Sequence, residues 1–352
     1  MVGSVGTYSG IAGASISAGL VALQAWAQLV NAQGGIKGHA VRIVTGDDGA
    51  DPARHQQLVQ QFVEQRGVQV FVYNADAVTG QASIRYLEQK RIPVIGSEGA
   101  GQWYYESPMH FPQTTMAIPL MRSWLRGAAE LMLPAGKKKF GFVACQEIQF
   151  CADSARLWPG LAKEVGFDLA YQSRVAFAQP NFTSECLGAR NAGVEFFYIA
   201  SDANSFSRVA RDCKSVGYTP TYGLVSATIQ DRQKDDPNLD GAIVPGPNVP
   251  WFFTANPEIR LFNDTLARFA PGHVADGNSQ LGWTAARVFE AAARSSPDPT
   301  TSAGILEGLW SLKGETVGGT TYPKSFPRDQ KAPEVSCWAQ VVIKGGKFVS
   351  PD

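Results

Sequence analysis

Short apolar runs alternate along this chain with longer stretches whose apolar positions recur every three to four residues. The runs at 2–7, 41–45, 68–73 and 93–95 predict strands, and the amphipathic segments at 14–31 and from Pro52 onward predict helices between them. After a helix over 118–133 the alternation resumes, with strands at 140–144, 168–175, 195–200 and 221–225 and a further strand at 242–244. Beyond Pro245-Gly246-Pro247-Asn248-Val249-Pro250 the pattern turns helical at 257–269, 277–295 and 303–312, and a last strand covers 335–344. A strand–helix alternation of this kind predicts parallel sheets covered by helices.

The 352 residues, 44% of them hydrophobic, suffice for two domains with separate cores. With 31 basic and 31 acidic side chains the formal charge is zero, and the longest basic run, Lys137-Lys138-Lys139, precedes a strand where a solvated turn explains it. Nothing here marks a nucleic-acid surface. No stretch approaches the eighteen apolar residues that a membrane span requires. The chain opens directly on its first strand, so an export signal is expected to have been removed.

Catalytic and metal motifs are missing from the pattern. The four histidines, His39, His55, His110 and His273, have no metal-ligand spacing, and no nucleophile elbow, phosphate loop or dinucleotide fingerprint occurs. Asp47-Asp48 with Asp51 reads as an acidic turn in which Asp51 caps the following helix and Pro52 takes its first position. No metal or cofactor is expected.

Five cysteines, Cys145, Cys151, Cys186, Cys213 and Cys337, form no C-x-x-C motif. Cys186 and Cys213 fall on consecutive helices that right-handed crossovers would set side by side, so a disulfide between them is feasible. Closing that loop of about 27 residues is worth roughly 3.5 kcal/mol, and a Cys145–Cys151 loop of about six residues roughly 2 kcal/mol. Five buried thiols in a reducing compartment is the other reading, and Cys337 is left over in either case.

Several words recur in a fixed order: Tyr8-Ser9-Gly10, Gly34-Gly35-Ile36-Lys37-Gly38, Asp47-Asp48 with Asp51-Pro52, Arg91-Ile92-Pro93-Val94-Ile95, Asn181-Phe182-Thr183 and Cys213-Lys214-Ser215-Val216-Gly217-Tyr218. In order and spacing the chain resembles the type I periplasmic solute-binding proteins, especially the branched-chain amino-acid receptor group. The resemblance implies an α/β fold of two Rossmann-like lobes joined by a three-segment hinge, with 1–117 and 250–326 in lobe one and 118–249 and 327–352 in lobe two. It implies a monomeric, non-enzymatic receptor, periplasmic or extracellular, with a lipid anchor as one mode of attachment. Such a receptor delivers a small molecule to the permease of an ABC importer by closing its lobes like a flytrap.

Carried over residue by residue, the resemblance points to Tyr8, to Ala77, Val78 and Thr79 after the third strand, and to Glu98, Gly99, Ala100, Gly101 and Trp103 after the fourth. In the second lobe it points to Gln149, Phe150, Asp202 and Ser226, and Trp251 and Gln280 complete the set; for the aromatics Tyr8, Trp103, Phe150 and Trp251 core or hinge packing is the other reading. In the amino-acid receptors an acid pairs with the ligand's ammonium, but here that position falls near Ser226. Unless Asp202 or Glu98 replaces it, an α-amino acid is poorly served, because a buried ammonium without an anion costs several kcal/mol. An aromatic or apolar carboxylate is therefore the first expectation and an amino acid the second. The rival functions are a ligand-sensing regulatory or receptor domain on the same fold and an α/β enzyme using Asp76, Glu98 and Asp202.

Overall fold

The computed structural model describes residues 1–146, 149–176 and 178–351, leaving aside the side chains of residues 11, 12, 14, 15, 149 and 150. In chain order the elements are β1 (Val2–Gly6), α1 (Gly10–Ala32), β2 (Ile43–Asp47), α2 (Pro52–Arg66), β3 (Val70–Asn74), α3 (Ile84–Lys90), β4 (Val94–Ser97), β5 (His110–Phe111), α4 (Ala117–Met132), β6 (Lys139–Cys145), α5 (Gln149–Val165), β7 (Asp168–Val175), α6 (Thr183–Asn191), β8 (Phe196–Ala200), α7 (Ala203–Ser215), β9 (Thr221–Leu224), α8 (Pro257–Phe269), α9 (Gly277–Ser295), α10 (Ser302–Ser311), β10 (Val342–Lys344) and β11 (Lys347–Val349). They fall into two compact units: Met1–Ala117 with Trp251–Val335, and Ile118–Pro250 with Ser336–Asp352.

Unit 1 holds a five-stranded sheet in the order β2-β1-β3-β4-β5, every pairing parallel. Its central strands β1, β3 and β4 are buried along their whole length because helices cover the sheet, while the edge strand β2 is partly exposed. The α2 helix starts as its sequence predicts, with the Asp51 carboxylate accepting the amides of Ala53 and Arg54 at 2.8 and 3.3 Å. The α9 helix packs on α1 and across β3 and β4. Gly19 and Gly282 permit the close approach of the two helices, since a Cβ on Gly282 would lie 2.0 Å from the Gly19 carbonyl oxygen.

Unit 2 repeats the design in a four-stranded parallel sheet, β7-β6-β8-β9. A run of stacked rings forms its core, with Phe140 packing on Phe142, Trp158, Phe167 and Phe196 at centroid distances of 5.5 to 6.0 Å. Disulfides join Cys186 of α6 to Cys213 of α7 and Cys145 of β6 to Cys151 of α5, while Cys337 belongs to neither.

Several expected elements differ. Of the strand expected over 242–244, only Ile243 bridges, lying parallel to Gly223 and antiparallel to Val342. Of the strand expected over 335–344 only β10 forms, ending where Gly345 and Gly346 adopt φ of 56° and 72° and turn the chain into a hairpin with β11, while over 335–341 only Ala339 bridges, to Gly246. The third passage between units falls at Val335–Ser336, not at 326–329. Phe326 stays edge-on to Phe111 at 5.1 Å, Asp329 pairs with Arg91 at 2.7 Å and Gln102 donates to Glu334 at 3.1 Å, so the segment remains with unit 1. Among the described residues, no helix is long and apolar enough to cross a membrane.

Candidate functional site

A parallel sheet presents all its strand carboxyl ends on one edge, and in open α/β sheets ligands bind there, beside the point where strand order reverses. In unit 1 that point lies between β1 and β3, so the loops leaving β1, β2, β3 and β4 make up the relevant edge. Here β3 and β4 kink together. Tyr73 has φ of 52° and Gly96, in the neighbouring strand, φ of 76°, while the pairing steps from Val72↔Ile95 to Asn74↔Ser97. A left-handed conformation is costly for a bulky residue and persists only where its surroundings enforce it. The Ser4 and Tyr8 hydroxyls lie 2.8 and 2.9 Å from the Tyr73 carbonyl oxygen, and the Tyr73 hydroxyl donates to the carbonyl of Ile16 at 2.9 Å.

Asp48 is the hub beneath this edge. Its buried carboxylate accepts from the hydroxyls of Thr7 and Thr79 at 2.8 and 2.7 Å, from the amide of Ala50 at 2.9 Å and from His55 Nδ1 at 2.9 Å. Burial opposes its ionisation, but these donors together outweigh burial and hold the carboxyl below its usual range.

Two further acids meet above it. The amides of Asp76 and Ala77 donate to the two oxygens of Glu98 at 3.1 and 2.6 Å. Asp76 is buried, its Oδ1 has no hydrogen-bond partner, and its Oδ2 lies 3.8 Å from His55 Nε2, which is also unpartnered. Burial and then the Glu98 and Asp48 charges push the Asp76 carboxyl well above its ordinary range. Burial likewise raises Glu98 to about 7, despite the amides that favour its charged form. Behind them His110, packed edge-on against Trp103 and Tyr104 at 5.3 and 4.8 Å, is pushed down to about 3 by burial and then by His55. Among the described residues no group of three or more His, Cys, Asp or Glu is placed to hold a metal ion.

The sequence-derived site residues fare unevenly. Glu98 and Ala77 meet directly, and the Ala77 carbonyl also accepts from Trp103 Nε1 at 3.4 Å. Trp103 itself is buried, and Gly101 and Gly80 leave room for its ring. Val78 is exposed and Ala100 half-buried. Gly99 adopts φ of 97°, and its carbonyl accepts from Ala117 at 2.8 Å. Thr79, expected to offer its hydroxyl to a ligand, is fully buried and spends it on Asp48. Tyr8 is half-buried, with its hydroxyl turned inward onto Ser4 and Tyr73. Trp251 is buried against Phe252, and Gln280 is buried on α9, where its carbonyl accepts from Thr284. In unit 2, Asp202 caps α7, accepting from the amides of Asn204 and Ser205 and the Ser205 hydroxyl at 2.8, 3.3 and 2.6 Å. Ser226 is a half-buried turn residue facing Gly246. Gln149 and Phe150 have side chains outside the described residues. Asp48, His55 and His110 were not expected as site residues. His55 had a readable signal, since His55, Val59 and Phe62 form one buried stripe of α2.

The family model for the periplasmic binding protein matches residues 1–347. The chain belongs to that family. This binding protein is of the type I, branched-chain amino-acid-binding kind, a solute-binding receptor of the ABC-transporter type and not an enzyme. The family is extracytoplasmic. Among solved structures the fold is similar to a substrate-binding periplasmic protein from Ralstonia solanacearum, with a TM-score of 0.83 and 18% identity over 99% of both chains. A possible leucine/isoleucine/valine-binding protein from Rhodopirellula baltica SH 1 aligns with a TM-score of 0.81 and 16% identity over 100% of this chain and 95% of that one. A solute-binding protein from R. palustris in complex with benzoate aligns with a TM-score of 0.76 and 16% identity over 99% and 94%. No curated protein matches in sequence. Of the three acids that the enzyme reading named, Glu98 accepts from the Asp76 backbone amide in unit 1, and Asp202 caps α7 in unit 2.

Proposed function

We propose that this binding protein captures a small organic molecule for an ABC importer, engaging it at the carboxyl edge of unit 1 through the loops after β1, β3 and β4. The observation that carries the reading is the half-buried Glu98 on the Asp76 and Ala77 amides, beside the Trp103 ring, in a chain whose family binds solutes. The half-buried Tyr8 and the exposed Val78 supply apolar surface, backed by the buried Trp103 ring, which suits a ligand with a ring or another apolar body. Relatives of this fold include a benzoate complex and a possible leucine/isoleucine/valine-binding protein, and both kinds of body fit that description.

The head group is a sharper question. Above pH about 7, where Glu98 is ionised, a ligand carboxylate about 4 Å away would meet a repulsion of about 4 kcal/mol at an effective dielectric constant near 20. Of the two expectations, the apolar carboxylate therefore loses ground at this edge, and an amino acid gains an anion for its ammonium.

Native mass spectrometry of protein purified from its own host is the direct test: a small molecule bound one to one and released on unfolding is expected. Added to stripped protein at about a hundred times its dissociation constant, that compound should contribute about 2.7 kcal/mol of stability, a shift of several degrees in Tm. Deleting the gene should abolish uptake of the labelled compound. Unchanged uptake with loss of a response to it would replace import by sensing.

A further inference from the structure

The backbone around Glu98 is built to bring its side chain home. The Ser97 hydroxyl accepts from the Gly99 amide at 3.1 Å, and Gly99 takes the left-handed conformation that only glycine adopts without strain. This turn folds the chain after β4 back toward the loop after β3, where the consecutive amides of Asp76 and Ala77 converge on one carboxylate. Two adjacent N–H groups aimed at one point form an anion seat. Here a side chain of the protein already occupies it.

The surroundings of the seat are acidic and incompletely bonded. Asp76 lies directly behind, 2% exposed, with an oxygen lacking any partner, and fully buried His55 directs an unpartnered Nε2 to within 3.8 Å of its other oxygen. The Glu98 carboxylate accepts from three backbone amides, those of Asp76, Ala77 and its own residue, which leaves one of its about four acceptor positions open, and the group is only partly covered. Acceptors with spare capacity call for a donor.

We propose that Glu98 is a built-in occupant of the anion seat made by the Asp76 and Ala77 amides and thereby sets specificity: ligands present a hydrogen-bond-donating N–H head group, amide or ammonium, and carboxylate heads are refused. The assignment rests on the reading of this edge as the ligand site. Emptying the seat should reverse the preference.

Three ring-bearing probes of similar size, benzoate, benzamide and benzylamine, together with acetate, test it by calorimetry and thermal unfolding at fixed ionic strength and a pH above 7, where Glu98 is ionised, against chloride controls. Wild-type protein should bind benzamide or benzylamine at least tenfold more tightly than benzoate and show no acetate-specific rise in Tm. Glu98→Ala should bind acetate and benzoate at least tenfold more tightly than wild type does. Glu98→Gln keeps the shape and removes the charge, so benzoate should gain there too if the alanine variant folds poorly. Benzoate first in the wild-type order, no response to either N–H probe, or equal carboxylate responses in wild type and variants would each overturn the assignment. Co-purification of a ligand from the host judges the receptor reading separately, so failure of one does not imply failure of the other.

Discussion

The two sheets share the order of four strands, the first with a fifth added, yet their carboxyl edges are finished in opposite ways. In unit 2 the acid at the edge, Asp202, is spent on capping α7, the rings of Phe140, Trp158 and Phe196 fill the core, and disulfides fasten α6 to α7 and β6 to α5. In unit 1 the edge buries Asp48, His55, Asp76 and His110, with Asp76 Oδ1, His55 Nε2 and His110 Nδ1 left unpartnered. Buried polar groups without partners are costly, so a fold that carries several in one place does so for a reason other than stability. The contrast lies in the kind of group: the unpartnered atoms of unit 2 include Trp124 Nε1, Trp158 Nε1 and the Tyr198 and Tyr222 hydroxyls, on aromatic side chains, whereas unit 1 leaves carboxyl and imidazole atoms unpartnered. On the proposed reading the edge of unit 1 is the one that recognises and that of unit 2 the one that stays rigid.

The largest expected effect lies at the hub of unit 1. Asp48→Ala leaves the Thr7 and Thr79 hydroxyls, the Ala50 amide and His55 Nδ1 without their acceptor, and should cost about 3–5 kcal/mol. Urea unfolding followed by hydrogen exchange and mass spectrometry should place the loss in peptides of unit 1. A loss below about 1 kcal/mol would mean that the network is dispensable, and the contrast between the edges would weaken.

The matching experiment in unit 2 removes a covalent tie. Cys186→Ala with Cys213→Ala frees a loop with a sequence separation of 27 residues, worth roughly 3.5 kcal/mol on the chain-entropy model. Exchange protection should fall in α6 and α7 while peptides around Asp48 and Asp76 keep theirs. Equal loosening in both units would contradict the division of labour.

Much of this architecture is legible in the order of residues alone. The α8 and α9 boundaries coincide with their predicted spans, and Asp51-Pro52 marks the start of α2 through capping chemistry. Cys186 and Cys213 are legible as a pair because consecutive crossovers leave little choice of where their helices lie. Illegible are the features set by long-range contact. Thr79 lies 31 positions from Asp48, and local sequence gives no sign that its hydroxyl turns inward. The two-residue β5 is too short to show a period, and Tyr73 at φ of 52° contradicts the local preference of its residue type. Glu98 reads from sequence as a candidate replacement for a missing acid, but its seat on two amides of another strand's loop follows only from the tertiary fold.

Acidity sharpens the comparison next. Glu98 has a folded-state value of about 7 against an ordinary 4.5, so between those values the native state holds a proton that the unfolded chain has released. Stability from this group is therefore gained as pH falls from about 7 to about 4.5 and is flat below. The unfolding free energy of wild type minus that of Glu98→Gln should grow through that window, by about 3 kcal/mol at most. His110 acts with the opposite sign. Lowered to about 3 from 6.5, it stays neutral in the native state while the unfolded chain takes up a proton, so its contribution is lost as pH falls below about 6.5. His110→Phe, which preserves ring packing on Trp103 and Tyr104, should thus make the protein more acid-tolerant where Glu98→Gln makes it less so. Two variants of one cluster shifting in the same direction would disprove the assignment.

The smallest effect belongs to Asp202, and it discriminates best between the edges. As an N-cap its carboxylate accepts two α7 amides, so Asp202→Ala should cost about 1 kcal/mol, while Asp202→Asn, a comparable cap, should cost only a few tenths. Neither change should alter the affinity for benzamide or benzylamine, since the acid is satisfied within its own helix turn. If Asp202→Asn preserved stability but abolished binding of benzylamine, the charge of that side chain would be required for recognition. Unit 2 would then contribute an anion of its own, and the division between a recognising edge and a rigid one would have to be abandoned.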